Sequence, residues 1–128
     1  MHVVSFSKMI RSYRDLIVWQ KAIELVVVVY GYTAHFPSSE QYGLVSQMRR
    51  SAVSIPTNIA EGRKFSSMAE FRRYLTIAYG SGAELETQIE IAKKLKFAPN
   101  EVFIKASGLL EEVMKMLNKF IASVSSPT

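Results

Sequence analysis

Apolar side chains in this chain recur at alternating steps of three and four, not at the step of two that marks a half-buried strand. That period restricts the chain to helices. In the first segment Leu16, Trp19, Ile23, Val26 and Tyr30 fall on one stripe, which predicts a helix from about Arg14 to His35. The run Val26–Val29 favours strand locally, but four residues inside a longer helical period yield to packing. The second segment opens after Pro37 with Ser38 and Gln41 in capping-box spacing. It carries Val45, Met48, Ala52, Ile55 and Ile59, and stops at Gly62. The third opens at Ser67 with Glu70 in the same spacing and continues through Phe71, Leu75, Ala78, Gly82, Leu85, Ile89 and Ala92. The fourth begins near Pro99 and runs through Val102, Ala106, Leu109, Val113, Met116 and Phe120.

Short connections between four long helices imply an all-α, antiparallel up-and-down four-helix bundle over residues 13–124. Residues 1–12 are expected to form a flexible extension and residues 125–128 a flexible tail. At 128 residues the chain makes one domain that buries about two thirds of its unfolded surface. The absence of cysteine excludes disulfides and thiolate sites. With His2 and His35 as the only histidines, no metal and no cofactor is expected. The apolar run Leu25–Phe36 is well short of the ~20 residues that span a bilayer, so a soluble cytoplasmic protein is expected.

Two helices carry more apolar surface than a lone bundle needs. The first has a second stripe, Val18, Ala22, Leu25, Val29 and Tyr32, displaced by about 100° from the other. The fourth has Phe103, Leu110, Met114, Leu117, Ile121 and Val124. Either the core-facing surface is wide, or these helices bury a face against another subunit; the second reading predicts a homo-oligomer.

Charge is distributed unevenly. Residues 1–38 carry a net +2, residues 39–75 a net +3, and residues 76–128 none. The excess lies around "RRSAVSIPTNIAEGRKFSSMAEFRR", residues 49–73, and points to a polyanionic partner. Arg49, Arg50, Arg63, Lys64, Arg72 and Arg73 are the candidate phosphate contacts, with Arg50 alternatively pairing with Glu61 or Glu84. Pro56 removes one helical hydrogen bond and is expected to bend the second helix. Beside it Gln47, Ser51, Ser54, Asn58 and Glu61 form a polar stripe. Gly80 and Gly82 weaken the third helix unless another element approaches closely. These features place the hydroxyl-rich part of the second helix against the small residues of the third, with Asn58 and Glu61 tying the contact by hydrogen bonds.

The segments "YRDLIVWQKAIEL", "YGLVSQMRRSAVSIPTNIAEG" and "EFRRYLTIAYGSGAELETQI" resemble the bacterial four-helix-bundle proteins encoded in intervening sequences of large-subunit ribosomal RNA genes. That family is in turn similar to the accessory variability proteins of diversity-generating retroelements. Matched positions include Gln47, Arg50, Ser54, Pro56, Asn58, Glu61, Gly62, Ser81, Glu84 and Leu85. The resemblance implies a basic, ring-like homopentamer, and its retroelement branch implies nucleic acid and a reverse transcriptase as partners. The chain departs from the family pattern in its longer N-terminus before Tyr13 and in Tyr79, where a basic residue is usual.

Catalysis is the weakest functional class. Glu84, Glu86 and Glu90 supply carboxylates, but Glu86 and Glu90 most simply pair with Lys93 and Lys94 on a solvated face, and no phosphate loop or nucleophile–base motif is present. A non-enzymatic oligomer that binds RNA or DNA by charge and shape, with little sequence readout, is the first expectation. A protein-interaction scaffold without direct nucleic-acid binding is the alternative.

Overall fold

The computed structural model describes residues 12–65 and 67–124. The flexibility expected of residues 1–11 and 125–128 lies outside the described residues. Four α-helices and two short 3-10 turns make up the described chain: α1 (Ile17–Thr33), α2 (Leu44–Arg63), α3 (Met68–Leu95) and α4 (Asn100–Ser123), with turns at Tyr13–Asp15 and Ser38–Glu40. Each helix packs on its two neighbours around an antiparallel bundle, α1 on α2 and α4, and α3 on α2 and α4. No strand occurs among the described residues, so Val26–Val29 is helical, as the longer period requires.

Helix starts depart from the sequence reading where side chains compete for the same amides. Ser12 and Asp15 close a capping box around the first 3-10 turn, Leu16 is extended, and α1 begins only at Ile17. Ser38 and Gln41 form no cap. Instead Ser38–Glu40 makes a separate turn, and the Glu40 carboxylate accepts the Leu44 N–H at 3.3 Å, placing a negative charge at the positive end of α2. At α3 the expected cap is present: Ser67 Oγ accepts from the Glu70 N–H at 3.2 Å.

On α2 and α3 the anticipated stripes are the buried ones, from Val45 to Ile59 and from Phe71 to Ala92. On α1 the order is reversed. Val18, Ala22, Leu25, Val29 and Tyr32 are buried, whereas Ile23 and Tyr30 of the other stripe are 39% and 43% exposed. Tyr32 is wholly enclosed, meets Phe36 edge to face at 5.1 Å, and its phenol pKa is raised by burial and by the charge of Glu90. On α4 the core takes members of both stripes, Ala106 and Val113 with Leu110 and Leu117, while Met114 and Ile121 are half-buried. The second stripe of α4 therefore widens the monomer's own core, whereas the displaced stripe of α1 leaves Ile23 and Tyr30 on its outer face.

The α2–α3 pair has the closest approach. Gly62 lies inside α2, which continues to Arg63, and a Cβ at position 62 would stand 2.6 Å from Tyr74 Cβ. Gly62 is thus a packing glycine rather than a helix stop. Ser54 Oγ and Ser81 Oγ share a hydrogen bond of 2.7 Å across the same interface. Asn58 Nδ2 donates to Ser54 Oγ at 3.0 Å and to the Ser54 carbonyl at 2.8 Å. The expected tie is therefore made by Ser54, which Asn58 braces. Glu61, about 100° round the helix from Gly62, faces solvent and takes no part. Pro56 is buried within an unbroken α2.

Gly80 and Gly82 do not both meet α2. Residues two positions apart on a helix point about 200° apart round its axis, so a single neighbour cannot cover both. Gly82 is packed against Met114 of α4, and Gly80 is exposed with nothing within 4 Å of a built Cβ.

Arg49 fastens α1 to α2. Its Nε donates to Thr33 Oγ1 at 2.9 Å, one terminal nitrogen donates to the Tyr30 carbonyl at 3.4 Å, and the guanidinium lies 4.3 Å from the Tyr30 ring centroid. The cation thereby sits at the negative end of α1.

These contacts set the stability effect of substitutions at four positions, read by thermal or urea unfolding. Gly62→Ala costs about 1–3 kcal/mol because Tyr74 is held by its own helix, whereas Gly80→Ala gains about 0.5–1 kcal/mol from helix propensity alone. Gly82→Ala falls between them, since the flexible Met114 side chain can move aside. Arg49→Ala costs about 1–3 kcal/mol, and Arg49→Lys recovers little of it, because an ammonium cannot reproduce the fork that holds Thr33 and the Tyr30 carbonyl.

Candidate nucleic-acid interface

A short turn between α2 and α3 brings four of the six candidate cations to one end of the bundle. Arg63 ends α2, Lys64 caps it, and Arg72 and Arg73 lie in the opening turns of α3. Lys64, Arg72 and Arg73 are exposed and Arg63 is half-buried. Arg14, exposed beside the start of α1, belongs to this end too, because the Tyr13–Asp15 turn packs on α2. Glu70 offsets part of the charge: its Oε1 accepts 3.2 Å hydrogen bonds from both Nε and a terminal nitrogen of Arg73.

Arg49 and Arg50 are elsewhere. At 1.5 Å per residue they lie about 20 Å along α2 from Lys64. Arg49 is committed to α1, as described above. Arg50 is exposed, next to a shallow cleft lined by Tyr30, Tyr42 and Val53, and neither Glu61 nor Glu84 pairs with it; both acids are themselves exposed. Adjacent arginines on one helix point about 100° apart, which explains why one turns inward and the other outward.

An aromatic pair sits among the four clustered cations, and sequence spacing alone does not pair its two rings. Phe65 stacks on Tyr74 with ring centroids 5.4 Å apart and planes inclined by 13°. Phe65 is 48% exposed. The Arg73 guanidinium lies 4.6 Å from the Tyr74 centroid, so the same side chain bridges the acid Glu70 and the ring. Phe65 directly follows Arg63 and Lys64 in sequence, but Tyr74 is nine residues on. Only the closed turn makes them neighbours.

The carboxylates behave as a solvated face. Glu84, Glu86 and Glu90 are exposed, Lys94 approaches Glu90 at 4.0 Å, and Lys93 lies over Phe103 instead of pairing with Glu86. No group of three metal-ligating side chains occurs among the described residues, and no helix among them is long and apolar enough to cross a membrane.

The outer side of α1 and α2 is apolar. Ile23, Val27 and Tyr30 of α1 and Val53 of α2 are exposed, and a groove between the helices is lined by Trp19, Val26, Pro56 and Ala60, with Glu61 and Lys64 at its polar edge. This face adjoins the basic end through Lys64.

Comparison with curated protein sequences returns no match. Among solved structures, the chain is similar to a protein of unknown function from the S23 ribosomal protein family of Bacteroides thetaiotaomicron. The two share 25% identity and a TM-score of 0.74, over 82% of this chain and 98% of that one. The family model of the 23S rRNA-intervening sequence protein matches residues 14–119, which takes in α1 to α3, the α2–α3 turn and α4 as far as Lys119. The chain belongs to the 23S rRNA-intervening sequence protein family.

Proposed function

We propose that this protein is a non-enzymatic, cytoplasmic homo-oligomer that binds RNA or DNA through the basic end formed by the α2–α3 turn. The observation that carries the reading is the convergence of Arg63, Lys64, Arg72 and Arg73 on one turn, within the segment 39–75 that carries a net +3. Backbone phosphates are the polyanion that such a cluster suits, and no side-chain arrangement there is built to read base edges. The family's link to sequences that intervene in 23S rRNA supports RNA as the physiological polymer. Arg49 and Arg50 contribute less in this account, Arg49 because it is held by α1.

Assembly is supported by the apolar outer side of α1 and α2, where exposed Ile23, Val27, Tyr30 and Val53 lie next to the basic end. The resemblance to ring-forming relatives makes a pentamer the proposed state. The same face favours one alternative: an adaptor that uses it to hold another protein, such as a reverse transcriptase, without touching nucleic acid.

Two measurements separate these readings. In fluorescence anisotropy titrations across a salt series, log K falls linearly with log salt, and each phosphate contact removed by Arg63→Gln with Lys64→Gln lowers the slope by about 0.7 for single strands or about 0.9 for duplex. Absence of binding at low salt sinks the nucleic-acid reading and leaves the adaptor. Independently, light scattering on a size-exclusion column should give a multiple of 14.4 kDa for the native protein and a mass near 14.4 kDa for the Ile23→Asp, Val53→Asp double variant. A native protein that elutes as a monomer overturns the assembly.

A further inference from the structure

An exposed phenylalanine amid cations is a costly way to finish a turn unless its open face has a use. Phe65 has one face against Tyr74, in a nearly parallel stack, and 48% of its surface in solvent. Burial of that surface on a ligand is favourable at about 25 cal/mol per Å², and among the described residues only Tyr74 stacks on the ring. Tyr74, beneath it, is fixed from behind: its Cβ is the atom that excludes a side chain at position 62, and the Arg73 guanidinium rests by its ring. The platform is thus held in place before any ligand arrives, which limits the ordering entropy that binding would otherwise cost. Arg63 and Lys64 on one side of Phe65 in the chain, and Arg72 and Arg73 on the α3 side, supply cations around the ring.

We infer that the open face of Phe65 stacks an unpaired nucleobase, so that the α2–α3 turn prefers single-stranded nucleic acid to a bare phosphate chain or an intact duplex. This rests on the proposed nucleic-acid binding and names the form of polymer that the basic end takes. The chemistry is selective in one respect only. Every base has a π-face, so stacking tolerates sequence, but bases inside a duplex are already stacked on each other and offer no face to Phe65. The flanking cations meet the phosphates on either side of the stacked nucleotide. Gly62 acts as a positioning residue, because it lets α2 approach closely enough to brace Tyr74.

The test compares three labelled probes in anisotropy titrations: an oligouridine, an abasic strand of the same length, and a duplex of the same length. Each is titrated with the native protein and with Phe65→Ala, Phe65→Leu and Phe65→Trp. The native protein should bind the oligouridine about tenfold more tightly than the abasic strand. Phe65→Ala and Phe65→Leu should abolish that difference without changing the slope of log K against log salt, and Phe65→Trp should keep it. Phe65→Leu retains apolar bulk in the turn, so it separates loss of the ring face from loss of packing. Equal binding of oligouridine and abasic strand by the native protein overturns the platform while leaving the electrostatic reading intact. No binding of any probe at low salt overturns both. A change in assembly mass on Phe65→Ala overturns the platform by assigning Phe65 to a subunit contact.

Discussion

The contact between Gly62 and Tyr74 sets the geometry of the molecule's basic end. With no side chain at position 62, α2 comes close enough to α3 for Ser54 and Ser81 to share a hydrogen bond at 2.7 Å two turns further along. Two helices held this near each other over their length can be joined by a very short turn. Lys64 and Phe65 project, and the first turns of α3 bring Arg72, Arg73 and Tyr74 alongside them. A bulkier residue at 62 would act on both properties at once, loosening the pair and displacing the ring on which Phe65 rests.

How much of this was legible in the sequence depends on how one-sided each helix is. On α2 and α3 a single apolar stripe faces a polar remainder, so Val45, Met48, Ala52, Ile55 and Ile59 could be assigned to the core from spacing alone, and they are buried. On α1 two apolar stripes compete, and the spacing of either is acceptable. The polar residues held the answer. Gln20 is about 160° from Ala22 but only about 60° from Ile23, so the stripe that contains Ala22 lies opposite the solvated side. For α4 the two stripes proved to be halves of one wide face, because its core positions step through Ala106, Leu110, Val113 and Leu117.

Contacts between segments were less legible. The sequence placed small residues on α3 near the hydroxyl-rich part of α2, and Ser54 with Ser81 bears that out. It could not tell which glycine served the contact: Gly62 meets α3, Gly82 meets Met114 of α4, and Gly80 meets nothing. Glycine in a helix signals a close approach without naming its direction. The cations show the same limit. Arg49 and Arg50 are neighbours in sequence, yet one neutralises the carbonyl end of α1 and the other is exposed. Arg63 and Arg72, nine residues apart, share one end of the bundle because the chain reverses between them.

The placement of the apolar side relative to the basic end constrains what an assembly could do. Four clustered cations, one of them partly neutralised by Glu70, make a weak site in physiological salt, where the field of each charge decays over about 8 Å. Contacts of that strength become useful when several act on one polymer, since every engagement after the first is intramolecular. Packing copies side by side through α1 and α2 would align their α2–α3 turns at one rim, because the groove runs along the bundle and ends at Lys64. A flexible single strand could then follow the rim from turn to turn, whereas a stiff duplex, with a persistence length of about 150 base pairs, would touch few turns at a time. On the proposed function, the same geometry that leaves an individual turn weak would therefore favour long, unpaired polymer over short or double-stranded pieces.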